Sequence, residues 1–305
     1  MISVIIPTYN RGNVFYDCLN SVINSIEESD EIIVVNDYKE SELNINRIER
    51  KDKTITVLNN PKQGVASARN YGAEHASGDV LLFIDDDMII NADAIDKCSE
   101  TLSSTQKTVV NADWIYLPKD LEKIKTTQFG RYLISIGFTS LEGWNENLKW
   151  TKNTVIKANG ITSQFLMIKK IDFDYLGRYN ENFPFAGFED SEFYLRMNKA
   201  GFQPVIDTRC LIYHNEKDRM SLTPFLKRKF RGAVTRKKAV ELGFNDFEIK
   251  YSAQKRLYYS FLIKIEFVLK GLMNRLPNIK AFDKIYTKLA NQQVGLNIFK
   301  GYTSK

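Results

Sequence analysis

The chain has 305 residues, near the upper limit for one hydrophobic core, so one large domain with an appendage is expected rather than two equal domains. Its hydrophobic fraction of 43% and charged fraction of 26% are those of an ordinary globular protein and exclude a disordered chain. The net charge of +6 conceals an acidic body and a basic tail: residues 217–305 carry 20 Lys and Arg against 6 Asp and Glu, whereas residues 1–216 carry 23 against 31.

The amino terminus, MISVIIPTYN, has no basic region and only a short apolar run, which predicts neither a secretory leader nor an anchor. Ser3 to Ile6 and Glu31 to Val35 are continuous β-branched runs, the pattern of strands buried on both faces, and Val14, Cys18, Leu19, Val22, Ile23 and Ile26 recur between them at helical spacing. A strand, helix, strand unit of this kind predicts a parallel sheet. Thr54 to Leu58 continues it as a strand, Val65 to Ala76 as a helix of small residues, and Val80 to Ile84 as a further buried strand. After about residue 110 the alternation loosens. Gly160 to Lys169 reads as a strand, a turn-rich stretch follows through Phe185, and a helix runs from about Asp190 to Ala200. From Ser221 onward the sequence predicts helices. Cys18, Cys98 and Cys210 are odd in number, far apart in sequence and without zinc or disulfide spacing, which predicts a reducing, cytosolic setting.

Doubly wound sheets bind ligands beyond the carboxyl ends of their strands. Polar clusters stand at four such ends: Pro7 to Arg11, Asn36 to Lys39, Asn59 to Gly64, and Asp85 to Asp87. Asp85, Asp86 and Asp87 repel one another, so they read either as a site for a divalent cation bridging a diphosphate or as a solvated acidic turn or the N-cap of a helix from Asn91 onward. Asp37 reads as an acceptor for the imide proton of uracil or as a turn former. The helix opened by Gly64 and carrying Arg69 suits an anion at its start, or simply packs its alanines on the sheet. Of Glu189 and Asp190, one would cap the following helix in any case. A carboxylate there also suits a general base for an acceptor hydroxyl. His214, after an apolar strand, is either structural or a neutral imidazole completing a metal shell.

In their order and spacing the segments SVIIPTYNR at 3–11, EIIVVND at 31–37, GVASARNYG at 64–72, GDVLLFIDDDM at 78–88 and GFEDSEFYLRMNKAG at 187–201 resemble family 2 of the glycosyltransferases, inverting enzymes of the GT-A fold. The resemblance implies an α/β fold with a mostly parallel Rossmann-like sheet flanked by helices and a helical C-terminal extension. It divides the chain into a catalytic domain at 1–216, with a nucleotide-sugar half at about 1–110 and an acceptor half at 111–216, and a basic extension at 217–305. It implies that Pro7, Tyr9 and Arg11 border base and ribose, that Asp37 reads uracil, and that Gly64 and Arg69 lie near the nucleotide. Asp85, Asp86 and Asp87 would form the DxD-type site, with Asp85, Asp87 and His214 as ligands to Mn²⁺ or Mg²⁺. Asp190 would be the catalytic base, with Glu189 near acceptor or donor sugar. Two departures stand out: Asn36-Asp37-Tyr38-Lys39 replaces the family's frequent paired aspartates and Gly-Ser, and Ala186-Gly187-Phe188 replaces Trp-Gly.

The expected reaction is transfer of a sugar from a UDP-sugar to a hydroxyl of a glycan, glycolipid or glycoprotein acceptor, in cell-surface polysaccharide or glycan synthesis. In the tail, Phe261, Ile265, Val268, Leu269, Leu272 and Leu276 share a helical face, while Lys264, Glu266 and Lys270 interrupt the apolar run and disfavour a spanning helix. The tail reads equally as a peripheral contact with the cytoplasmic face of a membrane or as a helical subdomain packed on the body or on a second copy. Nucleic acid is not expected as a partner. The rival readings are a sugar-phosphate nucleotidyltransferase, for which residues 7–12 lack the Gly-rich loop, and a non-catalytic membrane or nucleic-acid binder.

Overall fold

The computed structural model describes residues 1–40, 43, 54–183, 185–216 and 220–304, and opens on short strands with two helices between them. These are β1 (Ile2–Thr8), α1 (Asn13–Ile23), β2 (Glu31–Asn36), β3 (Thr54–Asn59), α2 (Val65–His75), β4 (Val80–Ile84) and β5 (Met88–Ile89). Then come α3 (Ala94–Ser104), β6 (Thr108–Tyr116), α4 (Pro118–Lys125), α5 (Gln128–Ser135), α6 (Leu141–Trp144), β7 (Val155–Lys157), β8 (Phe165–Lys169) and α7 (Lys170–Tyr175). The chain ends with α8 (Glu189–Lys199), β9 (Gln203–His214), α9 (Leu222–Glu241), α10 (Ala253–Arg275) and α11 (Asp283–Thr303).

Among the described residues nine strands make one sheet, in the order β3-β2-β1-β4-β8-β6-β9-β5, with β7 on β9. The β3-β2-β1-β4 half is parallel, as the continuous apolar strands require. Beyond β4 the sheet is mixed, because β8 runs antiparallel to both β4 and β6 while β6 and β9 are parallel. The strand expected over 160–169 starts at Phe165, and the stretch expected to be turns contains α7.

α1 buries Val14, Cys18, Leu19, Val22 and Ile23, the apolar positions recurring every three to four residues. α2 lies closer to the sheet: a Cβ on Gly72 would stand 2.5 Å from Ile5 Cγ2 and 3.1 Å from Val35 Cγ2, so only glycine fits there. Ala66, Ala68 and Ala73 are buried for the same reason.

The chain divides into two compact units. The first takes in Met1–Leu117, Ser140–Asn182 and Glu189–Asn215 and holds the sheet. Its core joins Ile5, Ile33, Phe83, Leu166, Phe173 and Phe193. The second combines Pro118–Thr139, Phe183–Phe188 and Glu216–Lys305, with Phe129, Tyr132, Phe225, Leu226, Met273 and Tyr286 at its centre. The C-terminal region is helical. The expected boundary between 216 and 217 adjoins residues 217–219, which lie outside the described residues.

Candidate active site

Every residue singled out in the sequence as a site candidate falls in the first unit. The parallel register brings their strand ends together: Pro7 pairs with Val35 and Thr8 with Asn36, while Asn36 pairs with Asn59. After β1 the backbone enters the left-handed region at Asn10 (φ 49°) and Gly12 (φ 55°), a tight turn that aims Arg11 at the triplet. Arg11 Nη2 donates to Asp87 Oδ2 at 2.7 Å and its Nε lies 3.3 Å from Asp86 Oδ1. Thr8 Oγ1 donates to Asp86 Oδ2 at 2.6 Å.

Asp37 is buried just beyond β2. Its Oδ1 accepts from Asn60 Nδ2 at 2.6 Å and from the Gly64 N–H at 3.0 Å, so the loop after β3 clasps it. Beside it opens a cleft of about 460 Å³ lined by Asn36, Tyr38, Lys39, Glu40, Asn59, Asn60 and Pro61. Tyr38, standing where the family pattern has a small residue, packs edge-on against the exposed Tyr9 at 5.1 Å between ring centroids.

Arg69 is buried under the rim. It donates through Nη2 to Asp85 Oδ1 at 2.8 Å and through Nη1 to Glu189 Oε1 at 3.2 Å, with its guanidinium 5.3 Å above the Tyr179 ring. Burial works against its charge, but Asp85 and Asp190 outweigh that and hold its pKa above the ordinary value. Arg69 therefore ties the triplet to the Glu189-Asp190 pair rather than standing open on the cleft.

A second connection runs through Ser163 and Gln164, at the start of β8. The Ser163 N–H donates to Asp190 Oδ2 at 3.1 Å, and its hydroxyl donates to Asp190 Oδ1. The Gln164 carbonyl accepts from the Asp85 N–H at 3.3 Å, and its side-chain amide lies 3.3 Å from His214 Nδ1. His214 Nε2 is 3.4 Å from Asp87 Oδ1, while Trp114 and Tyr116 pack edge-on against its ring. Thr8 and Asn60 lie inside two of the polar clusters that the sequence marks at strand ends, whereas Ser163 and Gln164 escape it because single polar residues ahead of a strand carry no periodic signal. The one available hint is a Ser-Gln pair heading the apolar run Phe165 to Ile168.

Burial, then the neighbouring Asp87, pushes the Asp86 carboxyl up to about 7, against the pull of Arg11. Burial, then Glu189, likewise pushes Asp190 up to about 7, and Arg69 and Ser163 oppose it. Crowded carboxylates of this kind favour a cation. A carboxylate oxygen and an imidazole nitrogen side by side at Asp87 and His214, with the far ring nitrogen oriented by Gln164, make a donor set suited to a divalent metal. Asp85, Asp87 and His214 do not bring three ligand atoms within 4.8 Å of one another, since Asp85 is turned to Arg69. Among the described residues the one group meeting that distance is Cys98, Asp207 and Cys210, buried between α3 and β9. Its cysteines are far apart in sequence and meet only through the fold. Asp207 is already bonded by Thr101 at 2.7 Å and by Arg209 at 2.7 and 2.9 Å.

This geometry accords with what the chain resembles. An uncharacterized glycosyltransferase of Haemophilus influenzae is 27% identical over 206 residues, 67% of this chain and 64% of that protein. One of Rickettsia bellii is 32% identical over 144 residues, 47% of this chain, so that match spans only 19% of its length. Among solved structures, a mannosyltransferase of Pyrobaculum calidifontis in complex with GDP-Man and Mn²⁺ superposes with a TM-score of 0.59 at 15% identity, covering 100% of this chain and 87% of that one. GalNAc-T7 with UDP, GalNAc and Mn²⁺ gives 0.53 at 15% identity, covering 91% and 58%. The likeness to these structures establishes the GT-A fold. The sequence profile described as Glycosyl transferase family 2 matches residues 3–172, more than half of the chain. On that match, this chain belongs to glycosyltransferase family 2.

Proposed function

We propose that the chain is an inverting, metal-dependent glycosyltransferase that moves a sugar from a UDP-sugar to an acceptor hydroxyl of a glycan, glycolipid or glycoprotein. The reading is carried by one observation. Two separate bridges, Arg69 between Asp85 and Glu189, and Ser163-Gln164 between Asp190, Asp85 and His214, hold the triplet and the Glu189-Asp190 pair at one rim. Solved relatives of the fold hold GDP-Man or UDP with Mn²⁺, which supports a nucleotide-sugar donor and a divalent ion.

The cleft beside Asp37 takes the nucleotide. Asn60 and the Gly64 N–H occupy lone pairs of the Asp37 carboxylate and orient it toward the uracil imide, while Tyr9 and Tyr38 offer ring surface for the base. Asp87 and His214 would hold Mn²⁺ or Mg²⁺, with Asp85 as a third ligand once it parts from Arg69, and the ion would supply the positive charge that a departing diphosphate needs. Asp190 is the base. Both its oxygens are held by Ser163, and a pKa of about 7 matches proton transfer near neutral pH. As the acceptor oxygen bonds to the anomeric carbon, its proton passes to Asp190 and the electron pair of the breaking carbon–oxygen bond leaves with UDP. Attack opposite the leaving group inverts the anomeric centre. Residues 1–216 supply this chemistry in our reading, and three buried free thiols suit a reducing cytosolic setting.

The test is a panel of nucleotide sugars screened with Mn²⁺ for slow donor hydrolysis, which needs no knowledge of the acceptor. One UDP-sugar should release UDP, and Asp190→Asn should lower transfer about 10²–10⁴-fold while UDP affinity stays within about twofold. Retained transfer in Asp190→Asn would reject the base assignment, and no UDP release from any donor would reject the enzyme.

A further inference from the structure

We infer that the outward face of α10 docks on an anionic lipid surface, with the helix lying in the plane of the bilayer. This rests on the surface of the second unit alone and stands apart from the sugar-transfer reading. At 3.6 residues per turn, Leu257, Phe261, Val268 and Leu272 fall within about 60° of one another. Leu257 is 74% exposed and in line with three further half-exposed apolar side chains, and Phe267, about 80° to one side of them, is 89% exposed, values a folded chain in water leaves unexplained. Burial on this helix is confined to Leu262 and Met273, about a third of a turn away.

The charge of the helix selects the partner. Lys264 and Arg275 lie within or beside the stripe and Arg256 lies in line with Phe267, while the single acid of α10, Glu266, is taken up by Lys270 at 2.9 Å and by Lys300. A second copy pairing face to face would set these cations against their own kind with no carboxylate to answer them. Among the described residues no helix is long and apolar enough to cross a membrane, so α10 lies on a bilayer rather than through it. Cations at the margin of an apolar stripe lay their stems along it and reach for phosphate, as in interfacial helices.

Much of the more obvious basic run, on α9, is engaged within its own unit. Arg228 donates to Glu216 at 2.6 Å and Lys229 lies 4.9 Å from the Phe225 ring centroid. Arg236 Nε donates to the Phe247 carbonyl at 2.6 Å, and Lys237 Nζ to the Ser304 carbonyl at 2.6 Å.

Sedimentation of the full chain with vesicles tests the inference. The protein should pellet with vesicles of phosphatidylglycerol and phosphatidylcholine and stay in solution with phosphatidylcholine alone. Leu257→Glu combined with Phe267→Glu should abolish pelleting with unchanged helical circular dichroism, since neither side chain is packed. Lys264→Gln should weaken binding about fivefold, the effect of one cation near an anionic surface. Three outcomes overturn it: the unaltered protein remaining soluble with phosphatidylglycerol vesicles, the double variant pelleting undiminished, or a solution dimer that Phe267→Glu dissolves.

Discussion

Asp190 places two opposed demands on one carboxyl. Burial and Glu189 raise it to about 7 from 3.8, so in the folded protein it holds its proton over a range where the unfolded chain has lost it. A carboxyl with a raised folded pKa contributes stability that is complete below the unfolded value, about pH 4, and is lost as the pH rises through 7. The general base, by contrast, works only when deprotonated. The kcat/KM of the enzyme should therefore fall about tenfold per unit of pH below 7, and a profile flat down to pH 5 would remove Asp190 from the role. Asp190→Asn should be no less stable than the parent at pH 8, since the amide still bonds Ser163 and ends the cost of a buried charge. Thermal melting checks this, and a large loss of stability at pH 8 would mean that the carboxylate is chiefly structural.

At the scale of elements, α2 shows how close approach builds the site. The helix sits against β1 and β2 through Gly72 and the buried alanines, and this depth carries Arg69 beneath the rim to meet Asp85 and Glu189. Gly72→Ala would drive a methyl group into Ile5 and Val35, costing about 1–3 kcal/mol in urea unfolding. A change under about 0.5 kcal/mol would mean that the contact relaxes freely. The small residues of α2 were visible in the sequence, but whether they serve packing or an anion was not, since both uses favour the same residue types. The parallel strands β1, β2 and β4 were legible because both of their faces are apolar. β6 and β9 were not fully legible, because buried Asn111 and Asp207 break their apolar pattern. Asn111 bonds the Thr162 and Phe165 carbonyls and Asp207 bonds Thr101 and Arg209, partners that the fold supplies and the sequence does not advertise. The rim residues at 37, 85–87, 189–190 and 214 could be picked out one by one, and the Ser163-Gln164 link between them arises only from the pairing of β8 with β4.

At the scale of the molecule, the basic tail seen in the composition falls in the second compact unit together with residues 118–139 and 183–188, and among the described residues each unit has its own apolar cluster, one around Phe83, Phe173 and Phe193 and one around Phe129, Phe225 and Tyr286. All of the proposed donor and metal residues belong to the first unit, whereas the exposed stripe of α10 belongs to the second. Separate cores predict that calorimetry resolves more than one unfolding transition, and a ligand stabilises only the unit whose native state binds it. With UDP and Mn²⁺ at about 100 times the Kd, one transition should gain about 2.7 kcal/mol while the other stays in place. Asp87→Ala should erase the part of that gain that depends on Mn²⁺, since it removes the carboxylate facing His214, whereas Phe267→Glu should leave the gain untouched. If both transitions moved together with UDP and Mn²⁺, the two cores would be one cooperative unit. If Asp87→Ala kept the full gain, the cation would have to sit elsewhere than at Asp87 and His214.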